Sequence, residues 1–151
     1  MRIGVIGSGE VGASLARGLK RHGHDVMRGS RDPSKLKAWQ ADQGKGVSLG
    51  DVAETARFGE LVVLAVKGSA AEEAVRQAQP ANLAGKPVLD TTNPIADAPP
   101  QHGVLQFFTG PNESLMERLQ KLVPDAHFVK AFSCVGVHFS AHRRTLLPSK
   151  L

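Results

Sequence analysis

The 151-residue chain holds one cysteine, Cys134, one tryptophan and no tyrosine, and only 5% of its residues are aromatic. A single thiol can neither close an intramolecular disulfide nor supply a zinc-binding cluster, so a reducing compartment is expected. The histidines add no metal site. His22 and His24 flank a glycine in a surface turn, while His138 and His142 are four apart with no further ligand at metal-like spacing. No apolar run approaches the ~20 residues that cross a bilayer. The amino terminus reads as a strand and not as a charged leader, so a cytoplasmic protein that contacts no membrane is expected. Scarce aromatics also argue against nucleic acid, whose single strands stack on aromatic rings along a basic groove. The net charge of +5 forms no such stripe. Residues 1–40 carry eight Lys/Arg against three acids, residues 41–139 eight against eleven, and the last twelve add Arg143, Arg144 and Lys150. No Ser-His-Asp arrangement or carboxylate pair is legible, which leaves catalytic residues unassigned.

What is present alternates between strand and helix. Apolar runs predict strands at about Arg2–Ile6, Asp25–Gly29, Val47–Leu49, Leu61–Val66, Pro87–Thr91 and His127–Phe132. Helical spacing covers Glu10–Arg21, with Val11, Leu15 and Leu19 on one face and Gly23 beyond its end. Further helices are predicted from Pro33 to Gln43, Asp51 to Ala56, Ser69 to Gln79 (ended by Pro80) and Asn112 to Leu122. Residues 95–111, rich in proline, read as a loop over a site or a disordered excursion. The alternation predicts an α/β fold: a doubly wound, mainly parallel six-stranded sheet ordered 3-2-1-4-5-6 within three α/β/α layers. Residues 1–136 form this domain, and residues 137–151, without period, read as a short basic tail.

Between the first strand and the first helix stands Gly7-Ser8-Gly9-Glu10-Val11-Gly12. Such a G-x-G-x-x-G segment, set between strand and helix, predicts a dinucleotide site. Its first glycine permits the turn, its second lets backbone approach a pyrophosphate, and its third lets helix and strand pack closely. At the end of the second strand, Gly29-Ser30-Arg31 stands where an NAD-binding chain places the acid that holds the ribose 2′-OH. A hydroxyl and a guanidinium suit a 2′-phosphate, so NADP is the expected cofactor. Arg31 and Lys35 would otherwise be solvated charges and Ser30 a helix cap, but their place after strand two favours phosphate contact. Asp90 reads as a hydrogen-bond acceptor fixing a loop, and Cys134 as a small buried apolar residue rather than a reactive thiol.

Four segments together carry a resemblance: Gly7–Gly12; Gly29-Ser30-Arg31 with Lys35; Asp90-Thr91-Thr92-Asn93-Pro94; and Val129-Lys130-Ala131-Phe132. Over about residues 1–136 the chain resembles the NADP oxidoreductase family that includes reductases dependent on coenzyme F-420, a deazaflavin. It also resembles the related cytosolic domain of six-transmembrane metalloreductases. The resemblance implies that Ser30, Arg31 and Lys35 hold the 2′-phosphate and that Val66 and Lys67 line the adenosine side. It places Asn93 and Pro94 beside the nicotinamide, with Ala131 completing the cofactor-binding set. It departs in two respects: Ser133-Cys134 follows Lys-Ala-Phe where family members commonly have Asn, and those members continue for some tens of residues. The expected activity is hydride transfer between NADP(H) and a flavin or deazaflavin acceptor in a homodimer. The alternative is a non-catalytic NADP-binding module or truncated reductase.

NADPH should therefore bind more tightly than NADH. Charge-assisted contacts contribute about 1.5–3 kcal/mol each, so the preference should be roughly tenfold to a few hundredfold. Calorimetric titration of Arg31→Ala should show the preference largely erased with NADH affinity retained. Equal losses for both cofactors would contradict the assignment.

Overall fold

Val5, Val62, Val63, Leu64 and Val88 are each at most 1% exposed, which requires cover on both faces of the sheet that holds them. A computed structural model describes residues 1–136 and shows how this is met. β1 (Arg2–Ile6) lies between β2 (Asp25–Gly29) and β4 (Leu61–Leu64). Outside these run β3 (Ser48–Gly50) on one side, and β5 (Pro87–Asp90) then β6 (His127–Lys130) on the other. Every pairing is parallel and the order is 3-2-1-4-5-6, as expected. The order reverses between β1 and β4, where a ligand crevice opens at the carboxyl ends of such sheets.

Two clusters cover the faces. On one, Ile3, Val5, Val26 and Val63 meet Leu15 and Ala16 of α1 (Glu10–Arg21), with Trp39 of α2 (Lys37–Asp42) packed alongside. On the other, Ile6, Val62, Leu64 and Val88 meet α3 (Val52–Phe58), α4 (Ala71–Ala78) and α6 (Leu115–Leu122). Consecutive β4 residues thus serve opposite faces, as the period of two demands. At the β6 edge only Phe128 turns into the core, and Val129 is 47% exposed. Among the described residues no helix is long and apolar enough to cross a membrane.

Several boundaries differ from those predicted, each for a local reason. The helix predicted from Ser69 to Gln79 begins as a 3-10 turn (Gly68–Ala70) and ends where Gln79 adopts φ 64°; Pro80 then opens α5 (Pro80–Leu83). Its fixed φ suits a first helical position, so here proline starts a helix. α6 begins at Leu115, because Ser114 and Glu117 form a reciprocal capping box there. β4 stops at Leu64 and β5 at Asp90, each short of its predicted end. β6 stops at Lys130, and Phe132 turns to φ 60°, which no strand accommodates. Cys134, read from sequence as buried, is exposed in the turn beyond β6. The tail, with His138 and His142, lies outside the described residues.

Residues 95–111 are an ordered excursion. Antiparallel bridges join Ile95 to Phe107 and Gln101 to Val104, and the Phe108 amide donates to the Pro94 carbonyl. Arg118 of α6 ties its far end down, donating to Glu113 at 2.6 Å and lying 3.8 Å from Glu72 of α4. The Glu113 carboxyl is held below its ordinary range, chiefly by that hydrogen bond.

Leu119 is fully buried where α6 meets the core. Leu119→Ala should cost about 2–5 kcal/mol, transfer and cavity terms together, read as a lower urea midpoint at unchanged slope. A neutral result would show that α6 does not pack as described.

Candidate functional site

The three glycines of the turn do different work. A Cβ on Gly7 would run into the carbonyl oxygen of Ala65, so only glycine lets β1 leave its strand this close to β4. A Cβ on Gly12 would lie 2.6 Å from the Gly7 carbonyl oxygen, so that glycine seats α1 on the turn. Gly9 is different. Nothing lies within 4 Å of where its Cβ would be, and its φ of −80° is open to any residue. No internal contact requires its lack of a side chain, which leaves the outward surface as the reason.

That outward surface is a row of donors. The Gly7 amide is spent on the Gly29 carbonyl and the Ala13 amide on that of Gly9. Among the described residues, the N–H groups of Ser8, Gly9, Glu10, Val11 and Gly12 have no acceptor. They stand at the positive end of α1, an arrangement that attracts an anion.

Two clefts meet at this turn, and Ser8 and Gly9 border both. The first, about 330 Å³, runs toward α4 and includes Ser30, Arg31, Ala65, Val66 and Lys67. Arg31 is exposed and makes no hydrogen bond or ion pair among the described residues. Ser30 is 8% exposed, its hydroxyl donating to the Asp32 carbonyl at 2.7 Å. The second cleft, about 300 Å³, lies between α1 and α2 and contains Lys35 with Arg17, Arg28 and Trp39. Arg31 and Lys35 thus stand in different clefts. Asp32 is turned to local use: it accepts from the Ser34 amide at 3.1 Å and hydroxyl at 2.6 Å, bonds that hold its carboxyl below the ordinary range. It also lies 3.9 Å from the Lys35 ammonium. Lys67 faces Asp97 at 4.0 Å, both exposed.

Asn93, Pro94 and Ala131 border neither cleft; they follow β5 and β6 at the same edge of the sheet. Asp90 organises this corner. Fully buried, it accepts from the Thr92 amide at 2.9 Å and hydroxyl at 2.6 Å, and from the Lys130 ammonium at 3.1 Å. Lys130 also donates to the Thr92 carbonyl, and the Ala131 amide to that of Asp90. From the other side, Gly68 abuts the Asn93 carbonyl so closely that a Cβ would collide with it. Asp90 therefore fixes the loop as its place in the sequence suggested, and Lys130 joins it as a residue the sequence reading left without a role.

A second residue went unread. Arg28 lies within β2, 1% exposed, and donates from Nε to the Gly7 carbonyl at 3.0 Å and from Nη2 to that of Gly9 at 2.9 Å. Its guanidinium stacks 4.3 Å from the centroid of the Trp39 ring. A charge on the same face of β2 as the buried Val26 was the available signal. No group of three or more His, Cys, Asp or Glu side chains among the described residues could hold a metal.

Gly9→Val should leave circular dichroism and thermal unfolding near wild type while abolishing dinucleotide binding, because only the ligand side is obstructed. Loss of folding together with binding would make the glycine structural.

The family model described as "NADP oxidoreductase coenzyme F420-dependent" matches residues 2–94. Among solved structures, one described as an F420-dependent NADP reductase from Arthrobacter sp. FB24 is 33% identical with a TM-score of 0.84. The match covers 92% of this chain and 65% of that one, so this chain spans less than two thirds of its relative's length. A hypothetical protein from Sinorhizobium meliloti is 23% identical with a TM-score of 0.78, over 94% of this chain and 65% of its own. A reductive aminase from Aspergillus terreus, solved with NADPH and ethyl levulinate, is 19% identical with a TM-score of 0.60, over 85% and 39%. These last two show the fold alone. No functionally curated protein matches the chain. With a glycine turn of unspent amides at the sheet's reversal point and this family match across more than half of its length, the chain belongs to the coenzyme F420-dependent NADP oxidoreductase family.

Proposed function

We propose that the chain binds NADP(H) and passes hydride between its nicotinamide and a flavin or deazaflavin acceptor. The observation that carries the cofactor assignment is the combination, among the described residues, of the free amides of Ser8–Gly12 with an exposed Arg31 just beyond β2 that makes no ion pair. The amides would hold the pyrophosphate, and Ser30 and Arg31 from the first cleft with Lys35 reaching from the adjoining one would hold the 2′-phosphate, with Val66 and Lys67 along the adenosine. Asn93, Pro94 and Ala131 would flank the nicotinamide, on a corner that Asp90 and Lys130 hold rigid. When bound, NADPH supplies the hydride; the protein's part is positioning, and no general acid or base in the chain is required for it.

The carboxyl end of β6 favours a partner. Val129, Phe132 and Val135, in β6 and the turn after it, are exposed apolar residues near Ala131 in the chain, at 47%, 41% and 41%. A second copy of the chain would bury them. The same openness supports the second reading, a module that binds NADP without turning over.

NADPH oxidation, followed by absorbance with riboflavin, FMN or a deazaflavin as acceptor, separates these readings. Turnover favouring NADPH over NADH, with a dimer by light scattering, is the expected result. Tight NADPH binding without turnover on any acceptor would leave the non-catalytic module standing.

A further inference from the structure

Arg28 carries a charge that the described structure leaves uncompensated. Among the described residues it forms no ion pair with a carboxylate, and the polar partners of its side chain are the carbonyls of Gly7 and Gly9. Burial pushes its pKa down to about 10, showing how poorly the site solvates the cation. Such a group destabilises a fold unless something is gained from it. Nε and Nη2 are used, whereas Nη1 has no acceptor among the described residues, and Arg28 borders the cleft that holds Arg17 and Lys35. The flat face of the guanidinium is occupied by Trp39, which keeps the group from swinging away from the turn.

The two bonds it does make help to hold the direction of the donors. No peptide in the described chain is cis. Across a trans peptide the carbonyl and the next amide point opposite ways. With the Gly7 carbonyl held on Arg28, and that of Gly9 held by Arg28 together with the Ala13 amide, the amides of Ser8 and Glu10 face outward, where no acceptor among the described residues meets them.

We propose that Arg28 is a cofactor-binding determinant of this chain: it clamps the glycine turn from beneath, and its free Nη1, with Arg17 and Lys35, makes the second cleft an anion subsite for a phosphate of the dinucleotide. The ligand chemistry is a phosphate oxygen, from either the 2′-phosphate or the pyrophosphate. The proposal rests on the turn being a dinucleotide site, and it concerns binding, not turnover.

Calorimetric titration of wild type, Arg28→Met and Arg28→Lys with NADP⁺ and NAD⁺, over a range of salt, tests it. Arg28→Met should fold, since methionine fills the stem's space beside Trp39 without a charge. It should bind NADP⁺ roughly tenfold to a hundredfold more weakly, on the scale of a lost charge-assisted contact. The salt dependence of binding should flatten, because a cation facing the ligand is gone, and a purely structural role would not produce that. Loss for NADP⁺ alone assigns the 2′-phosphate, and equal loss for both cofactors assigns the pyrophosphate; either supports the proposal. Arg28→Lys should keep the salt dependence with a smaller loss, and it decides the matter if the methionine variant does not fold. Wild-type affinity and salt dependence in whichever variant folds would overturn the role of Arg28. Failure of the wild type to bind either dinucleotide would instead overturn the reading of the site.

Discussion

Gly7 meets the carbonyl of Ala65 at a distance only glycine permits, and the rest of the site is arranged around that contact. Because β1 ends against β4 there, its chain must turn at once into α1. Gly12 then brings the helix down onto the carbonyl of Gly7. The outcome is a helix whose first amides have no acceptor among the described residues and face the crevice where the strand order reverses. A side chain at Gly7 or Gly12 would separate strand and helix, and the amides would lose their common direction.

Charge is handled differently on the two sides of that turn. Asp32, the acid nearest the end of β2, is engaged by Ser34 and lies near Lys35, and Arg31 has no carboxylate partner among the described residues. Arg28 lies underneath, buried and paired only with carbonyls. At the other strand ends the logic is compensation: Asp90 is fully buried but satisfied by Thr92 and Lys130, so that corner is stiff and neutral. The molecule thus concentrates unpaired positive charge at the glycine turn and cancels charge beside Asn93.

The topology was legible because its signals are local. Apolar runs of strand length, helical spacing in α1 and the glycine turn each depend on near neighbours in the chain, and together they admit few arrangements. Boundaries were less legible where a single residue's backbone decided them. Phe132 is ordinary in sequence, yet its positive φ takes the chain away from the strand predicted to reach it. Residues 95–111 lacked period because their order comes from two isolated bridges and from Arg118, not from a repeating pattern.

By itself the sequence determined the sheet order, the glycine turn and the lack of an acid within Gly29-Ser30-Arg31, since each follows from residue type and spacing along the chain. Only the tertiary structure decided which glycine faces protein and which faces open space, for that depends on whether Ala65 or nothing stands opposite. It also decided that Arg31 and Lys35 enter different clefts, and that Lys130 reaches Asp90 across 40 residues. Arg28 shows the reason most plainly. Its charge is visible in the sequence, but its meaning depends on carbonyls 19 and 21 residues away and on a tryptophan of α2. Only folding brings those groups to it.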